Sequence, residues 1–443
     1  MTEHQRLVIV GGGQAAAQMI ESSRRLGFKG EILLISEERI LPYLRPPLSK
    51  CYLTGRYTTD WLLYRSKGFY QQHEVATTLG SRVDSIDRGR QMVESLNTRI
   101  QYDWLFLATG ARARRLGVPG DDLPEVVYLR GVDDAHRLSN FAQSASRAVI
   151  IGGGFIGLEV AAVLCQAGHR VTILVAGDKL MSRFGSDTSS VGAAVPSFFQ
   201  QVHTAHGVAI LFNVTVAEFR KTSSGAVDVV TEGHAVHSAD FVVVGVGAIP
   251  NVELAVDAGI VCADGILVDE YGVSSDPRVL SAGDCARHPN AWRAEPIRLE
   301  TVHNAVEQPR SAAAHIVGIR QPYRQIPWVW SDQYDYRVQG VGFADGADLA
   351  VLRGDLQSGR FGVLYFAKGA LTGAEFVNRP GDFGACRRMM NAGASLTVEQ
   401  AGDASLSLQA LIPRHAAVGF DEPWVPRPSR PHPVRLDPHE VHS

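Results

Sequence analysis

Two glycine-rich turns carry the residues whose types and spacing could do chemistry. The first reads Gly11-x-Gly13-x-x-Ala16 and follows the apolar run 7–10. In such a turn the first glycine permits a tight bend, the second lets backbone approach a pyrophosphate, and the small third residue lets the next helix pack closely. Phosphates then lie at a helix N-terminus, where free N–H groups and the helix dipole favour an anion. The pattern predicts a dinucleotide site.

An acidic residue follows at the position where a ribose should lie. Glu37 comes just after the apolar run 31–35, and its carboxylate can accept hydrogen bonds from a ribose diol, whereas Glu38 is the weaker candidate. An isolated glycine pattern is more often an ordinary turn. Here a strand precedes the turn, a helix follows it and an acid ends the next strand, so nucleotide binding is favoured.

The second turn repeats the first one about 140 residues later. Gly152-x-Gly154-x-x-Gly157 lies between an apolar run, 148–151, and a helical pattern from 155 to about 168. Its glycines are complete, so a second dinucleotide site is predicted. The repeat distance is far longer than that of a solenoid, which indicates two separate nucleotide-binding domains.

The second site lacks the acid of the first. We take Val175 as the counterpart of Glu37, and a valine cannot bond a ribose hydroxyl. Three alternatives follow: a nicotinamide nucleotide bound with weaker preference for NAD, acceptance of NADP with Lys179 or Arg183 meeting the extra phosphate, or an impaired site. We favour working binding with relaxed selectivity.

The elements that must position these turns predict an α/β protein of four parts. Apolar strands at 104–108 and 241–244 separate the two βαβ units, and shorter strands with aromatic residues begin near 323. We expect one nucleotide-binding domain from 1–112 and 241–322, a second from 113–240 and a C-terminal α+β domain from 323–412. Residues 413–443 are rich in Pro, Arg and His and predict a flexible tail.

Composition excludes several classes of function. A net charge of −3 gives no electrostatic case for nucleic acid or an anionic membrane. No apolar run is long enough for membrane insertion, and the N-terminus lacks the layout of a signal peptide, so a cytoplasmic location is expected. The five cysteines are far apart, which indicates neither a zinc site nor a disulfide framework. A monomer or a weak dimer would fit equally well.

Five further segments carry a specific resemblance. They are Pro42-Tyr43-Leu44-Arg45-Pro46-Pro47-Leu48-Ser49-Lys50, Ala108-Thr109-Gly110-Ala111-Arg112, Ser281-Ala282-Gly283-Asp284, Pro327-Trp328-Val329-Trp330-Ser331-Asp332-Gln333-Tyr334-Asp335, and Val377-Asn378-Arg379-Pro380 with Arg387-Arg388. With the two glycine turns, residues 5–412 resemble the flavoprotein reductases built like glutathione reductase. The closest resemblance is to the ferredoxin reductases of oxygenase systems, the family of putidaredoxin reductase, rubredoxin reductase and the biphenyl dioxygenase ferredoxin reductases.

The resemblance implies that the first domain binds FAD and the second NAD(P)H, with NADH favoured over NADPH. It implies catalytic roles for Lys50, near the flavin, and for Glu159, near the nicotinamide and paired with Lys50. Asp284 would bond the FAD linker, Val83 and Arg130 would touch its adenine and phosphate portions, Val302 would offer backbone to the isoalloxazine, and Gly247 would line the nicotinamide pocket. The remaining cofactor-binding residues implied are Ala15, Arg45, Ala108, Thr109, Gly110, Ile156, Gly283 and Trp330.

The function that the resemblance implies is electron transfer from NAD(P)H through FAD to a 2Fe-2S ferredoxin, which then serves a cytochrome P450 or a ring-hydroxylating oxygenase. Disulfide reductases of this fold use a cysteine pair, and no such pair stands near residue 50. Two alternatives stay open: an NAD(P)H oxidase that uses oxygen directly, and a flavin-bound interaction protein that has lost reductase activity. Departures from the family pattern are Val175, Val329, His303 and the tail beyond 412.

Overall fold

The structure is a computed structural model that describes residues 5–413 except 56, 183, 187 and 188. Residues 414–443 of the predicted tail, and Arg183, which was considered for an NADP phosphate, lie outside the described residues. Among the described residues, no helix combines the length and the apolar character needed to cross a membrane.

The strands are listed here in chain order. They are β1 Arg6–Val10, β2 Glu31–Ser36, β3 Val75–Leu79, β4 Val83–Asp87, β5 Met92–Ser95, β6 Thr98–Gln101, β7 Trp104–Leu107, β8 Ala111–Ala113, β9 Val126–Tyr128, β10 Arg147–Ile151, β11 Arg170–Val175, β12 Ala209–Phe212, β13 Val216–Lys221, β14 Val227–Thr231, β15 Val236–Ala239, β16 Phe241–Val244, β17 Ala248–Pro250, β18 Ile266–Leu267, β19 Val279–Ser281, β20 Ala286–His288, β21 Ile297–Arg298, β22 Trp328–Gln333, β23 Tyr336–Gly342, β24 Leu349–Asp355, β25 Arg360–Ala367 and β26 Ala370–Val377.

The helices follow the same order. They are α1 Gln14–Arg25, α2 Thr59–Leu62, α3 Lys67–Gln72, α4 Val132–Ser144, α5 Phe155–Gln166, α6 Ala194–Ala205, α7 Glu253–Asp257, α8 Val302–Ile316, α9 Pro380–Asn391 and α10 Val398–Gly402. Short 3-10 helices span Pro46–Ser49 and Leu408–Leu411.

The first nucleotide-binding domain is built on a parallel sheet of order β19-β7-β1-β2-β3. Its strands are apolar runs because such a sheet is covered on both faces, and Leu7, Val8 and Ile9 are fully buried. The chain leaves β1 toward β2 on one side and returns through β7 on the other. This switch point, at the carboxyl end of β1, is where ligands bind in open α/β sheets.

A second parallel sheet of order β12-β11-β10-β16-β9 repeats this arrangement around β10. One predicted boundary differs from the observed topology. Strand β16 pairs with β10 and β9 in the second sheet, whereas the predicted division at 240/241 assigns it to the first domain. An apolar strand alone does not reveal which sheet it joins, so the return to the first domain lies beyond Val244.

The C-terminal domain has a five-stranded antiparallel sheet of order β22-β23-β26-β25-β24, with α9 and α10 against it. Strand β22 lies next to α5 of the second nucleotide-binding domain. The predicted fold class, two Rossmann-like domains followed by an α+β domain, is confirmed.

Candidate active site

A single large cavity of about 990 Å³ collects most of the predicted site residues. It lies at the carboxyl end of β1 and reaches the first turn of α5 and the start of β22. Predicted residues that line it are Gly11, Gly13, Ala15, Glu37, Arg45, Lys50, Val83, Ala108, Thr109, Gly110, Arg130, Ile156, Glu159, Gly283, Asp284, Val302 and Trp330. Predicted residues outside its lining are Ala16, Gly152, Gly154, Gly157 and Gly247.

The first glycine turn has the shape that a pyrophosphate needs. Gly11 has φ +110°, and a Cβ there would lie 2.2 Å from the Ala108 carbonyl oxygen, so only glycine fits. A Cβ on Gly13 would meet nothing within 4 Å, because this residue faces the cavity. Gly13 caps α1 without a side-chain hydrogen bond, which leaves the first N–H groups of the helix for an anion.

Polar groups around the cavity also fit a dinucleotide. Arg130 lines the cavity, and its buried Nε has no hydrogen-bond partner among the described residues. Its Nη2 donates to Asp284 Oδ2 at 2.7 Å, so the Asp284 carboxylate is held at the cavity wall. The cradle, the uncapped helix and this unpartnered donor together match what the phosphates of FAD require.

The two acids after β2 have different surroundings. Glu38 accepts hydrogen bonds from the Tyr43 hydroxyl and the Arg45 guanidinium, both at 2.5 Å, so its carboxylate is occupied. The Glu37 side chain is 74% exposed at the cavity edge, and its ion-pair contact within the described part of the chain is with Arg82 at 4.0 Å. The Glu37 carboxylate is therefore the one available to a ribose.

Lys50 and Glu159, which both line the cavity, form an ion pair. Lys50 Nζ lies 2.6 Å from Glu159 Oε2, and Glu159 is only 4% exposed. The hydroxyls of Ser49 and Ser331 also donate to this carboxylate, at 2.5 and 2.6 Å. A buried carboxylate is tolerated when it is paired and hydrogen-bonded, and three donors meet this condition here.

The aromatic residues of β22 divide between the cavity and the core. Trp330 lines the cavity, as does Val329. Trp328 is 4% exposed and packs against Phe383 of α9 with ring centroids 5.4 Å apart, so it belongs to the C-terminal core. The two tryptophan rings are themselves 5.4 Å apart.

Among the polar residues that were not predicted, Asn251 and Gln308 fix backbone at the cavity. Asn251 lines the cavity; its Nδ2 donates to the Thr109 carbonyl, and its own carbonyl accepts from the Thr109 hydroxyl at 2.6 Å. Gln308, buried in α8, accepts from the Gly283 N–H at 2.9 Å. These side chains hold backbone that lines the cavity. The only sequence signal for Asn251 was a polar residue after a short strand, and Gln308 had none.

The second glycine turn repeats the first in backbone geometry. Gly152 has φ +105°, and a Cβ there would lie 2.4 Å from the Gly245 carbonyl oxygen. A Cβ on Gly157 would lie 2.4 Å from the Gly152 oxygen, so the helix and the turn touch through backbone. Gly154 caps α5 without a side-chain hydrogen bond, again leaving helix N–H groups for an anion.

The strand register corrects the predicted counterpart of Glu37. Val10 pairs with Ile35 and Ile151 pairs with Leu174, so Ser36 corresponds to Val175 and Glu37 to Ala176. The expected counterpart is one position off because β2 ends in the polar Ser36 and β11 in the apolar Val175, so the end of the apolar run does not mark the same position in the two strands. The conclusion that no acid follows β11 at this position holds for Ala176 as well.

No cysteine is placed for disulfide chemistry. None of the five cysteines forms a disulfide, and none is among the described residues that line the cavity. Cys51 stands beside Lys50 in sequence but outside the cavity wall. Within the described chain, no group of three or more His, Cys, Asp or Glu side chains is arranged to hold a metal ion.

Fold and site together define a flavin- and pyridine-nucleotide-dependent oxidoreductase. Residues 5–308 match the family Pyridine nucleotide-disulphide oxidoreductase, and residues 328–412 match the domain Reductase C-terminal. The chain therefore belongs to the pyridine nucleotide-disulphide oxidoreductase family, in a form that carries this C-terminal domain, and it uses FAD and NAD(P)H.

Relatives match over nearly the whole chain. Rhodocoxin reductase from Rhodococcus erythropolis is 41% identical over 94% of this chain and 96% of its own length. Putidaredoxin reductase from Pseudomonas putida is 33% identical over 93% of this chain and 98% of its own. Among solved structures, the ferredoxin reductase for the CYP199A2 system from Rhodopseudomonas palustris is 37% identical, with a TM-score of 0.88 over 93% of this chain and 100% of that one.

Proposed function

We propose that the chain takes a hydride from NADH and passes the electrons singly to a 2Fe-2S ferredoxin, which serves a cytochrome P450 or a ring-hydroxylating oxygenase. When bound, FAD supplies the required chemistry, because it accepts a hydride from NAD(P)H and can release electrons one at a time.

The observation that carries the proposal is the make-up of the cavity. It joins the first glycine turn to Ile156 and Glu159 on α5, and this supports hydride transfer between a nicotinamide bound at the start of α5 and FAD bound at the first turn. Its other side ends at Trp330 of the C-terminal domain. Since no cysteine lies in the described lining, electrons have no internal disulfide to reduce, and an external acceptor is expected.

The Lys50–Glu159 pair supplies the fixed charge of the site. Lys50 Nζ is also 3.3 Å from the Pro46 carbonyl, so its position is set by two partners. A lysine cation at this wall would stabilise the negative charge of the reduced cofactor. Glu159 holds that cation in place, and Ser331 holds Glu159.

The names of the relatives support the acceptor and the nucleotide. The anthranilate 1,2-dioxygenase system ferredoxin–NAD(+) reductase component from Burkholderia cepacia is 36% identical over 91% of this chain. A solved covalent complex of putidaredoxin reductase with putidaredoxin, 33% identical in sequence, has a TM-score of 0.88. These names favour NADH, a ferredoxin-type acceptor and an oxygenase system.

Anaerobic stopped-flow absorbance of the FAD-loaded protein tests the proposal. NADH is expected to bleach the oxidised-flavin band rapidly, NADPH more slowly, and a 2Fe-2S ferredoxin is then expected to reoxidise it in one-electron steps. If neither nucleotide bleaches the flavin, the chain is not a reductase. Rapid aerobic NADH turnover that needs no ferredoxin would instead indicate an oxidase.

A further inference from the structure

The segment after β11 forms a wall of the second nucleotide site. We call the described residues 176–182, 184–186 and 189–192 the nucleotide loop. The Met181 N–H donates to the Gly153 carbonyl at 2.8 Å, and the Leu180 side chain lies against Gly153. Phe184 packs edge-to-face on Phe155, the first residue of α5, with centroids 5.0 Å apart. In a βαβ dinucleotide site, residues that follow the second strand flank the ribose, so this loop borders the nucleotide.

The C-terminal domain holds this loop by two buried side chains. Glu375 on β26 accepts from the Gly185 N–H through Oε1 at 2.7 Å. The Tyr365 hydroxyl on β25 lies 3.0 Å from Glu375 Oε2 and 3.3 Å from the Gly192 carbonyl. Glu375 is 4% exposed and Tyr365 is fully buried. Both ends of the stretch from 185 to 192 are therefore fixed to the C-terminal sheet.

The contact depends on the backbone of the loop rather than on loop side chains. Gly185 has φ +80°, and a Cβ there would lie 2.7 Å from the Gly192 carbonyl oxygen, so the two glycines approach closely. On the same side, Phe184 lies against Gly340 of β23, where a Cβ would come within 2.8 Å of the ring.

A buried carboxylate is a costly way to fill this position. Burial raises the pKa of Glu375 to about 8, although the Gly185 N–H and the Tyr365 hydroxyl act in the opposite direction. The hydrogen-bond partners of Glu375 in the described part of the chain are Gly185 and Tyr365, and neither is a cation. Apolar side chains of similar volume would avoid the cost of burying a carboxyl group, so this group is explained by the backbone N–H that it holds.

We infer that Glu375 and Tyr365 are positioning residues for the nicotinamide nucleotide, because from the C-terminal domain they hold the nucleotide loop against the second glycine turn. The inference rests on the proposed function for the identity of the nucleotide. Neither side chain lines the cavity, so both act through the loop.

The test uses the full-length, FAD-loaded protein with Glu375→Met, which removes the acceptor of the Gly185 N–H, and with Tyr365→Phe. Calorimetric titration uses NAD+, which cannot reduce the flavin. The dissociation constant of NAD+ is expected to be roughly tenfold larger in each variant, because each loses a hydrogen bond that fixes the loop. Hydrogen exchange at the Gly185 amide is expected to accelerate. The rate of flavin reduction at saturating NADH is expected to stay within about twofold of wild type, because the geometry at the flavin is unchanged.

Glu399→Met is the matched control, since it makes the same substitution in the same domain at an exposed residue. An unchanged NAD+ dissociation constant in Tyr365→Phe overturns the inference. An equal loss of NAD+ affinity in the control, or a loss of affinity that accompanies loss of FAD, also overturns it. Tyr365→Phe decides the case if Glu375→Met does not fold. The NAD+ and exchange measurements require no electron transfer, so failure of the proposed function, seen as an unbleached flavin in wild type, is a separate result.

Discussion

At the scale of single residues, the Lys50–Glu159 pair provides the most direct test of the proposed function. Lys50→Met removes the cation but keeps the aliphatic stem. We expect flavin reduction by NADH to slow by about 10- to 100-fold and the flavin potential to fall, because reduced-flavin charge loses its partner. Stopped-flow absorbance and dye-equilibrated redox titration measure the two effects.

The control for that variant is Lys221→Met. Lys221 pairs with Glu125 at 2.5 Å on the second nucleotide-binding domain, away from the cavity. Lys221→Met therefore removes a lysine–glutamate ion pair without changing the site. If Lys50→Met left both the reduction rate and the flavin potential at wild-type values, the role assigned to the Lys50 cation would be wrong.

A second residue-scale prediction concerns Ala176. Because this residue, and not Val175, is the counterpart of Glu37, Ala176→Glu places an acid where the ribose of a bound nicotinamide nucleotide is expected. The new carboxylate can bond the diol of NADH and repels the 2′-phosphate of NADPH. We expect the ratio of kcat/KM for NADH over NADPH to rise by about tenfold or more. Steady-state kinetics with both nucleotides measure it.

Ala404→Glu, an exposed alanine of the C-terminal domain, controls for the added charge. Val175→Glu offers a direct contrast, since Val175 is 6% exposed and packs against Gly153. A larger gain in NADH selectivity from Val175→Glu than from Ala176→Glu would contradict the register-based assignment.

At the scale of elements, the two glycines of the first turn have different predicted roles: Gly11 is required for folding and Gly13 for FAD binding. Gly11→Ala places a Cβ 2.2 Å from the Ala108 oxygen at φ +110°, so we expect the protein to be destabilised by several kcal/mol and to lose FAD. Gly13→Ala meets open space, so we expect near-normal apoprotein stability but weaker FAD retention, because the methyl group enters the phosphate cradle.

Thermal denaturation of the apoproteins and the ratio of flavin to protein absorbance test this pair of substitutions. Each serves as the other's control, since both add one methyl group to the same turn. Equal losses of apoprotein stability in the two variants would show that Gly13 is also required for folding.

At the scale of the whole molecule, buried neutral histidines set the response to acid. Burial lowers the pKa of His203 to about 4 and that of His303 to about 3. The unfolded chain takes up these protons near pH 6.5, but the folded chain does not. Their contribution to stability is therefore present above pH 6.5 and is lost as pH falls toward 4.

We expect the thermal midpoint to fall between pH 7 and pH 5, and His203→Gln to reduce that fall by an amount equivalent to about 2 kcal/mol at pH 5. Half-buried His237→Gln on β15 is the control. Identical pH profiles for wild type and His203→Gln would show that His203 does not contribute to acid lability.

Much of the architecture could be predicted from sequence, because the two glycine turns and their flanking apolar runs are local patterns. The resemblance also implied that Glu159 pairs with Lys50. Asn251, Gln308 and Ser331 could not be found in this way, since each acts on a residue more than 20 positions distant. Two further features could not be predicted: the sheet that β16 joins, and the identity of Ala176 rather than Val175 as the counterpart of Glu37. Both depend on strand pairing and register, which apolar runs do not specify.

The contacts of strand β22 limit how freely the C-terminal domain can be exchanged between related reductases. Within six residues it places Trp330 at the cavity, Ser331 on Glu159 and Gln333 at 2.9 Å from His203 of α6. A gene fusion that exchanged residues from 328 onward between two reductases would separate these side chains from the partners they evolved with. The C-terminal domain therefore cannot be exchanged independently of the rest of the chain. Recombination that changes the acceptor must also preserve the contacts that β22 makes with the other two domains.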